Sequence, residues 1–508
     1  MHVVRRSRPP PPDTLDPCSS ASRTPRATTP GGSVSAIPEL LGRTVTGVPQ
    51  AELWLGAHPG SPSVVVNPAM VGGADTVLDW IAAEPQTALG DDRTGLPFLL
   101  KVLAAAAPLS LQAHPTPEQA REGFDREEAA GVPIDDPARN YKDPFPKPEL
   151  VVALSDRFEA LSGFRPVAEA LAEVETLDAG SGRLGPLVVH LQQGLEDTVR
   201  WLEETDDSAR AVIGAVGHLA EEAVAAAVAA GTTVSPSTAT VADLARTYPE
   251  DPGVVVSLLM HRVTLTRGEA MYLPAGNIHA YLDGLGIELM APSDNVLRGG
   301  LTPKHVDVPE LLRVLDFTAY PAPLLEPEHL GPVVDRFAPE GVGFALVRVT
   351  SDGKPVGLGT GGTAPLSGPS IAICTEGVVT LIGANSATLL RQGGVLLHHA
   401  RRGRRVGRGG RGQRPHRDGL HRHRRVARRA APGRGGGGAA GPPSDRPVPL
   451  AWRHELVGHR RCRVHRVPRR PRAGRCGHRH GRVGRPLERL PGLRAGERPV
   501  RRGHDPGR

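Results

Sequence analysis

Between Gly268 and Leu282 the chain reads GEAMYLPAGNIHAYL, and the spacing of Gly268, Pro274, Gly276 and His279 leaves little freedom of fold. Proline cannot donate to a β-ladder, so a strand ends at Pro274. Glycine supplies the tight turn that follows, and His279 stands where the next strand begins. Two further segments bring partners of matching chemistry: LSLQAHPT, from Leu109 to Thr116, and KPELVVAL, from Lys147 to Leu154. Side chains alternate faces along a strand, so Gln112 and His114 point the same way. Pro115 then ends that strand at a rim, and Glu149 adds the negative charge a divalent ion needs. Singly, either histidine would be read as a hydrogen-bonded structural residue. Together, Gln112, His114, Glu149 and His279 read as the ligand set of one metal site. Two imidazoles, a carboxylate and an amide oxygen suit zinc and would also accept manganese or cobalt. Catalytic zinc more often has three protein ligands plus water, so a fifth position has to stay open.

The block IELMAPSDNVLRGGLTPKH, Ile287 to His305, follows without interruption. With the three segments above it resembles the type I phosphomannose isomerases of the cupin superfamily, from about Ser33 to about Ala400. The resemblance implies a mainly β fold with a helical insert: two cupin-type barrels, the second incomplete, plus an all-helical domain. It implies an isomerase that interconverts D-mannose 6-phosphate and D-fructose 6-phosphate by metal-assisted proton transfer through an enediol. One Zn2+ per chain, a sugar-phosphate substrate, a monomer and a cytoplasmic role in supplying activated mannose go with it. Similarity makes Glu288 the base, Arg298 the cation at the reacting oxygens and Lys147 a second acid or base. Lys101, Ser110 and Lys304 become the phosphate contacts, since a dianion needs donors and positive charge. Tyr281 and Asp294 shape the pocket, and Gly299 and Gly300 allow close approach of substrate. One position departs from the family pattern: Pro146 stands where a histidine usually precedes Lys-Pro-Glu, which touches ring opening rather than metal binding. A second reading from another class is a metal-loaded cupin that binds a sugar or effector without catalysis.

Short apolar runs at 64–66, 98–103 and 150–154 predict buried strands, and the acidic stretch 117–130 predicts a helix. From Pro166 to about Pro249 the pattern turns helical: Leu187, Leu191, Leu195 and Leu202 share a face with Val188 and Val199, and Val212, Val216 and Leu219 begin a second helix. A further short helix is expected at 241–248. Strands resume at 254–260 and 263–265, a helical patch lies near 309–315, and strands follow at 371–374, 378–382 and 395–397. The expected organisation is an atypical leader at 1–32, a catalytic cupin in two parts at 33–165 and 252–305, and a helical insert at 166–251. A truncated second cupin-like domain at 306–400 and an arginine-rich tail at 401–508 complete it.

The formal charge of +7 conceals two opposite compositions. Residues 401–508 hold 33 Arg, no Lys and 6 acidic residues, whereas the remaining 400 carry a net charge of −20. A basic arm of this kind would ordinarily suggest a nucleic-acid partner. The tail lacks Ile, Phe, Tyr, Met, Asn and Thr as well as Lys, and Trp452 is its one aromatic, so no stacking platform is visible. That vocabulary suits a GC-rich gene read out of frame, and the tail is expected to have no functional fold. The leader, with seven prolines and five arginines in 1–31, has no apolar segment typical of a secretion signal. No run of about 18 apolar residues suggests a membrane span. Of the four cysteines only Cys374 lies between the two unusual ends, so no disulfide framework or cysteine zinc site is expected.

Overall fold

The computed structural model describes residues 31–90, 93–350, 363–366, 368–382, 387–398 and 448–453. The leader at 1–30 and most of the arginine-rich tail, with the expectations attached to them, lie outside the described residues.

Nine strands carry the site: β1 (Glu52–Leu55), β2 (Leu99–Ala105), β3 (Gln112–Ala113), β4 (Glu149–Ala153), β5 (Phe158–Phe164), β6 (Met260–Leu265), β7 (Ala270–Leu273), β8 (His279–Met290) and β9 (Leu297–Arg298). The long β8 organises them. Its second half, from Gly284, pairs with β2 on one side and β4 on the other, and β1 and β7 extend that layer. Its first half pairs with β3 and β5, extended by β9 and β6. Leu103, Val151, Phe158, Val263, Met271 and Tyr281 from both layers form one buried cluster between them.

The first layer is buried on both faces, which explains why β2 and β4 read as unbroken apolar runs instead of alternating ones. Its inner face carries Lys101, Glu149 and Glu288. Leu100, Val102, Leu150, Val152, Ile287 and Leu289 face the other way and pack with Phe337, Phe344 and Val395. Each fully buried side chain of this kind contributes roughly 1.5–3 kcal/mol. A cavity of about 510 Å3 lies on that outer side, lined by Leu100, Val152, Ile287, Leu289, Phe344 and Leu396 among others. The sheet separates it from the inner-face carboxylates.

Helices α1 (Ala36–Leu40), α2 (Val77–Ala83) and α3 (Pro85–Leu89) precede β2, and α4 (Pro117–Ala129) joins β3 to β4. Between β5 and β6 run α5 (Val167–Asp178), α6 (Gly185–Gln193), α7 (Leu195–Glu204), α8 (Asp207–Ala230), α9 (Pro236–Thr247) and α10 (Gly253–Leu258); α11 (Val308–Val314) follows β9. Four expectations need correction here. The run 64–66 forms isolated bridges, Val64 to Thr76 among them, and no strand, with Val66 half exposed. Val254–Val256 belong to α10, buried on all sides, and β6 starts only at Met260. A helix apolar all round looks like a buried strand in sequence. The expected first helix breaks at Gly194, whose φ of 138° no helix accommodates, into α6 and α7. Finally, α8 is long and apolar enough, by length and composition alone, to cross a membrane. Here Val212, Ile213, Val216 and Ala220 pack into the helical core while Arg210, Glu221 and Glu222 are exposed.

Beyond α11, β10 (Glu328–Gly331), β11 (Val334–Phe337) and β12 (Leu346–Val349) form a three-stranded sheet that sequence reading did not anticipate. β13 (Thr363–Leu366), β14 (Ser370–Ile373), β15 (Val378–Ile382), β16 (Ala387–Arg391) and β17 (Val395–His398) follow. β14 pairs with β17, and β15 with β16. One tail segment departs from the expected lack of structure: β18 (Val448–Arg453) lies between β13 and β15. Its sequence VPLAWR alternates apolar positions, the pattern a strand requires.

Candidate metal centre and active site

Strand register assembles the predicted ligands. Gln112 pairs with His279 on one side and with Arg298 on the other. Directly opposed residues project to the same face, so three polar side chains converge across β8, β3 and β9. His114 follows β3 immediately. Its carbonyl accepts the Gly276 N–H at 2.8 Å, which ties the turn before β8 to the end of β3. Gly276 has φ +78°, and a Cβ there would sit 3.0 Å from Asp316 and 3.2 Å from the Val314 carbonyl, so only glycine makes this turn. On the far side of Pro115, Thr116 and Gln119 form a reciprocal capping box that starts α4. Glu149 opens β4, opposite Leu273 of β7 and Met290 of β8.

His114, Glu149 and His279 form a group of ligand atoms within 4.8 Å of one another, all buried. Nε2 of His114 lies 3.4 Å from Glu149 Oε1, and Nε2 of His279 lies 3.3 Å from Oε2. Each ring is oriented from behind. His114 Nδ1 donates to the Asn295 carbonyl at 2.9 Å, and His279 Nδ1 donates to the Asn277 carbonyl at 3.1 Å. That arrangement leaves both Nε2 lone pairs facing inward, the tautomer a metal ligand needs. His114 Nε2 and Glu149 Oε2 have no hydrogen-bond partner despite complete burial, a costly state unless a cation fills the space between them. Gln112 reaches the same space, its amide 3.2 Å from His279 Nε2; turning the amide directs its oxygen at the group. The four residues therefore fit one divalent ion.

The charges suit that occupant. Burial, then the Lys147 ammonium, depresses the His114 pKa to about 4, so its ring is neutral. Burial alone would raise Glu149, but the Lys147 ammonium holds its carboxyl well below the usual carboxylate range. Lys147 sits 3.0 Å from Glu149 Oε1.

A second buried network lies on the same inner face. Glu288 accepts from the Tyr281 hydroxyl at 2.8 Å and pairs with Lys101 at 3.1 Å. Burial raises its pKa against the opposing pull of Lys101. Lys101 also holds Glu52 at 3.2 Å and lies over the Trp54 ring at 5.1 Å. Its charge is thus answered by two carboxylates, which favours a place in this network over the phosphate contact expected from sequence. Sequence reasoning missed Glu52, Trp54, His58 and Asn295. The signal for the first two was available: ELWL alternates, and a glutamate alternating with a tryptophan on a half-buried strand needs a polar partner.

Arg298, on β9, is more than half buried, and among the described residues no carboxylate or hydrogen bond holds its guanidinium; burial lowers its pKa. A partly buried arginine in that condition is poised for an anion. Of the adjacent glycines, Gly300 is demanded by the protein's own packing, whereas Gly299 has room for an ordinary side-chain contact. A Cβ on Gly300 would meet Asp251 Oδ1 at 2.7 Å and the Gly253 backbone at 3.0 Å, and one on Gly299 would meet Ile278 and Leu311. Ser110 lies between Leu109, whose N–H bonds the Tyr281 carbonyl, and Leu111, whose N–H bonds the Gly300 carbonyl. Lys304 is exposed on the loop that follows. Asp294 pairs with His58 at 3.2 Å, beside Asn295.

A buried ligand group of two histidines and a glutamate, held between two β-layers and flanked by lysine and arginine, defines a metal-dependent β-fold enzyme. Residues 27–167 match the model of the phosphomannose isomerase type I catalytic domain. The mannose-6-phosphate isomerase of Escherichia coli K12 is 38% identical over 371 residues, covering 71% of this chain and 90% of that protein. That of Bos taurus is 32% identical, covering 68% and 83%. A crystal structure of zinc-bound mannose 6-phosphate isomerase superposes with a TM-score of 0.63 at 32% identity, covering 73% of this chain and 92% of its own. The chain belongs to the type I phosphomannose isomerase family.

Proposed function

We propose that this protein is a zinc-dependent aldose–ketose isomerase that interconverts D-mannose 6-phosphate and D-fructose 6-phosphate. The observation that carries the reading is the buried His114–Glu149–His279 group, with His114 Nε2 and Glu149 Oε2 lacking hydrogen-bond partners and Arg298 and Lys147 beside it. Bound zinc polarises a sugar oxygen or orders the donors next to it. Lys147, at the carboxylate of Glu149, moves the proton that opens the ring. Glu288, a carboxylate whose pKa burial raises, transfers the proton between C1 and C2. Arg298 meets the negative charge that develops on the enediol oxygens. Tyr281 and Lys101 hold Glu288, while Ser110 and Lys304 bind the phosphate.

In this reading the two layers that share β8 are a cupin-type barrel, α5–α10 its helical insert, and the strands from β10 onward a second cupin-like unit. The enzyme acts as a cytoplasmic monomer without a nucleic-acid partner; the net charge of −20 on residues 1–400 supports the last point. The test is to load the chelated protein with zinc and follow interconversion of the two sugar phosphates, beside His279→Ala. Wild-type turnover that returns with about one zinc per chain, and is absent together with the metal in the variant, is the expected result. Full metal occupancy in His279→Ala, or turnover by thoroughly chelated protein, overturns the assignment.

A further inference from the structure

We propose that Asn140 is a positioning residue that fixes where the loop between β9 and α11 presents its contact to the substrate phosphate. This rests on the reading of Lys304, on that loop, as a phosphate contact. The near end of the loop is held where the Leu111 N–H donates to the Gly300 carbonyl at 3.1 Å and Asp251 accepts the Thr302 N–H at 3.4 Å. The far end is Asp307, whose carboxylate has two tasks. Oδ1 accepts the Glu310 N–H at 3.1 Å and starts α11. Oδ2 accepts from the Asn140 side chain at 2.7 Å, across 167 residues of sequence. A carboxylate only accepts, so the amide nitrogen must face it. Between these anchors Pro303, Lys304 and His305 are exposed.

Asn140 serves as an anchor because its own backbone is bracketed. Glu127 Oε1 accepts the Asn140 N–H at 3.0 Å, and Oε2 accepts the Tyr141 N–H at 2.8 Å. Tyr141 is completely buried, its ring so close to α4 that a Cβ on Gly123 would lie 2.3 Å from it. The Lys142 N–H donates to Asn295 Oδ1 at 2.7 Å, and the Asn295 carbonyl orients His114. Residues 140–142 thus join the end of the loop to the support of a metal ligand. α11 has other attachments. The Tyr141 hydroxyl donates to Glu310, Gln119 donates to the Arg313 carbonyl at 2.9 Å, and the Asp316 N–H beyond the helix donates to the Gly276 carbonyl at 3.0 Å. What Asn140 adds is the placement of the last loop residue. Fixing both ends reduces the conformations open to an exposed segment, so less ordering is left for binding to impose. The tether therefore acts on substrate affinity, while the proton transfers at the metal site proceed without it.

The experiment compares zinc-loaded wild type with Asn140→Ala, Asn140→Asp, Asp307→Asn and the exchange variant Asn140→Asp/Asp307→Asn. Lys304→Ala is made alone and together with Asn140→Ala. Each is measured for kcat, KM, zinc content and calorimetric affinity for fructose 6-phosphate. Asn140→Ala is expected to raise KM and weaken binding by about tenfold, with kcat and zinc content little changed. Asn140→Asp sets two carboxylates against each other and should lose at least as much. The exchange reverses donor and acceptor and keeps a good helix-starting residue at position 307, so it should recover most of the Asn140→Asp loss. In the Lys304→Ala background, Asn140→Ala should add little, because the tether acts through that lysine. Failure of the exchange to recover, a full additional loss without Lys304, or a fall in kcat and zinc content with KM intact would each overturn the positioning role. A raised KM in Lys304→Ala beside a wild-type KM in Asn140→Ala refutes this inference alone. A wild-type KM in Lys304→Ala refutes the reading of that lysine, and this inference with it.

Discussion

Arg298, proposed as the cation at the reacting oxygens, is the residue whose role strand register makes most open to test. The motif SDNVLRGG placed it by resemblance; register places it one strand from Gln112 and two from His279. An arginine without a carboxylate partner stabilises charge that develops in the transition state more than charge already present in the ground state. Arg298→Ala is therefore expected to lower kcat by about 10²–10³ with zinc content intact, as steady-state kinetics and metal analysis would show; a change in KM alone would leave it a plain binding role. Glu203 offers a test that does not involve catalysis. Burial, then nearby Asp251, pushes its carboxyl up to about 7 from 4.5, and Oε1 has no hydrogen-bond partner. Between those two values the folded chain holds a proton that the unfolded chain has lost, so stability falls as pH rises through the window and is level above it. Glu203→Gln mimics the protonated form. Its Tm advantage should be absent below about pH 4.5, grow through the window and be complete above about pH 7; a pH-independent difference would refute the shifted carboxyl. Glu203 was not legible as special in sequence, because burial of a carboxylate depends on which distant element covers it.

Elements were legible where one physical signal dominated. The run 98–103 and the segment after Lys147 form β2 and β4 because a sheet covered on both faces demands unbroken apolar sequence. The same logic misled at 254–256, where α10 is enclosed by other helices and shows the same run. Polar punctuation was more reliable: Pro115 follows β3 as the sequence places it, and α4 starts beyond it on a Thr116–Gln119 box that sequence reading did not name. Since the box satisfies two otherwise unpaired N–H groups, Thr116→Ala should cost about 1 kcal/mol in chemical denaturation. His114 is held by the Asn295 carbonyl and the Gly276 N–H, contacts independent of the box. Zinc content in Thr116→Ala should therefore be unchanged, and a loss of metal would mean the helix start itself places the ligand.

At the scale of the molecule, the site depends on surfaces it never touches. Phe337 of β11 is completely buried in the cluster on the outer face of the layer whose inner face holds Lys101, Glu149 and Glu288. Phe337→Ala should destabilise the protein by about 3–5 kcal/mol in urea unfolding, and a cost below 1 kcal/mol would mean that this face is not a tightly packed interior. The later sheets were only partly legible, since β10–β12 are short and half exposed and carry no motif. The His114–Glu149–His279 group was legible because metal chemistry restricts residue type at every position, whereas apolar packing accepts many. The strand shared by both layers bears on how the chain matures on the ribosome. Gln112 and His279 face each other across 167 residues, and Glu149 cannot take its place until β8 has emerged to pair with β4. A nascent chain that ends before His279 therefore carries Gln112 and Glu149 on strands that lack their shared partner. Metal capture is accordingly a late event in biosynthesis, and any ion taken up early would be held by donors still free to exchange it.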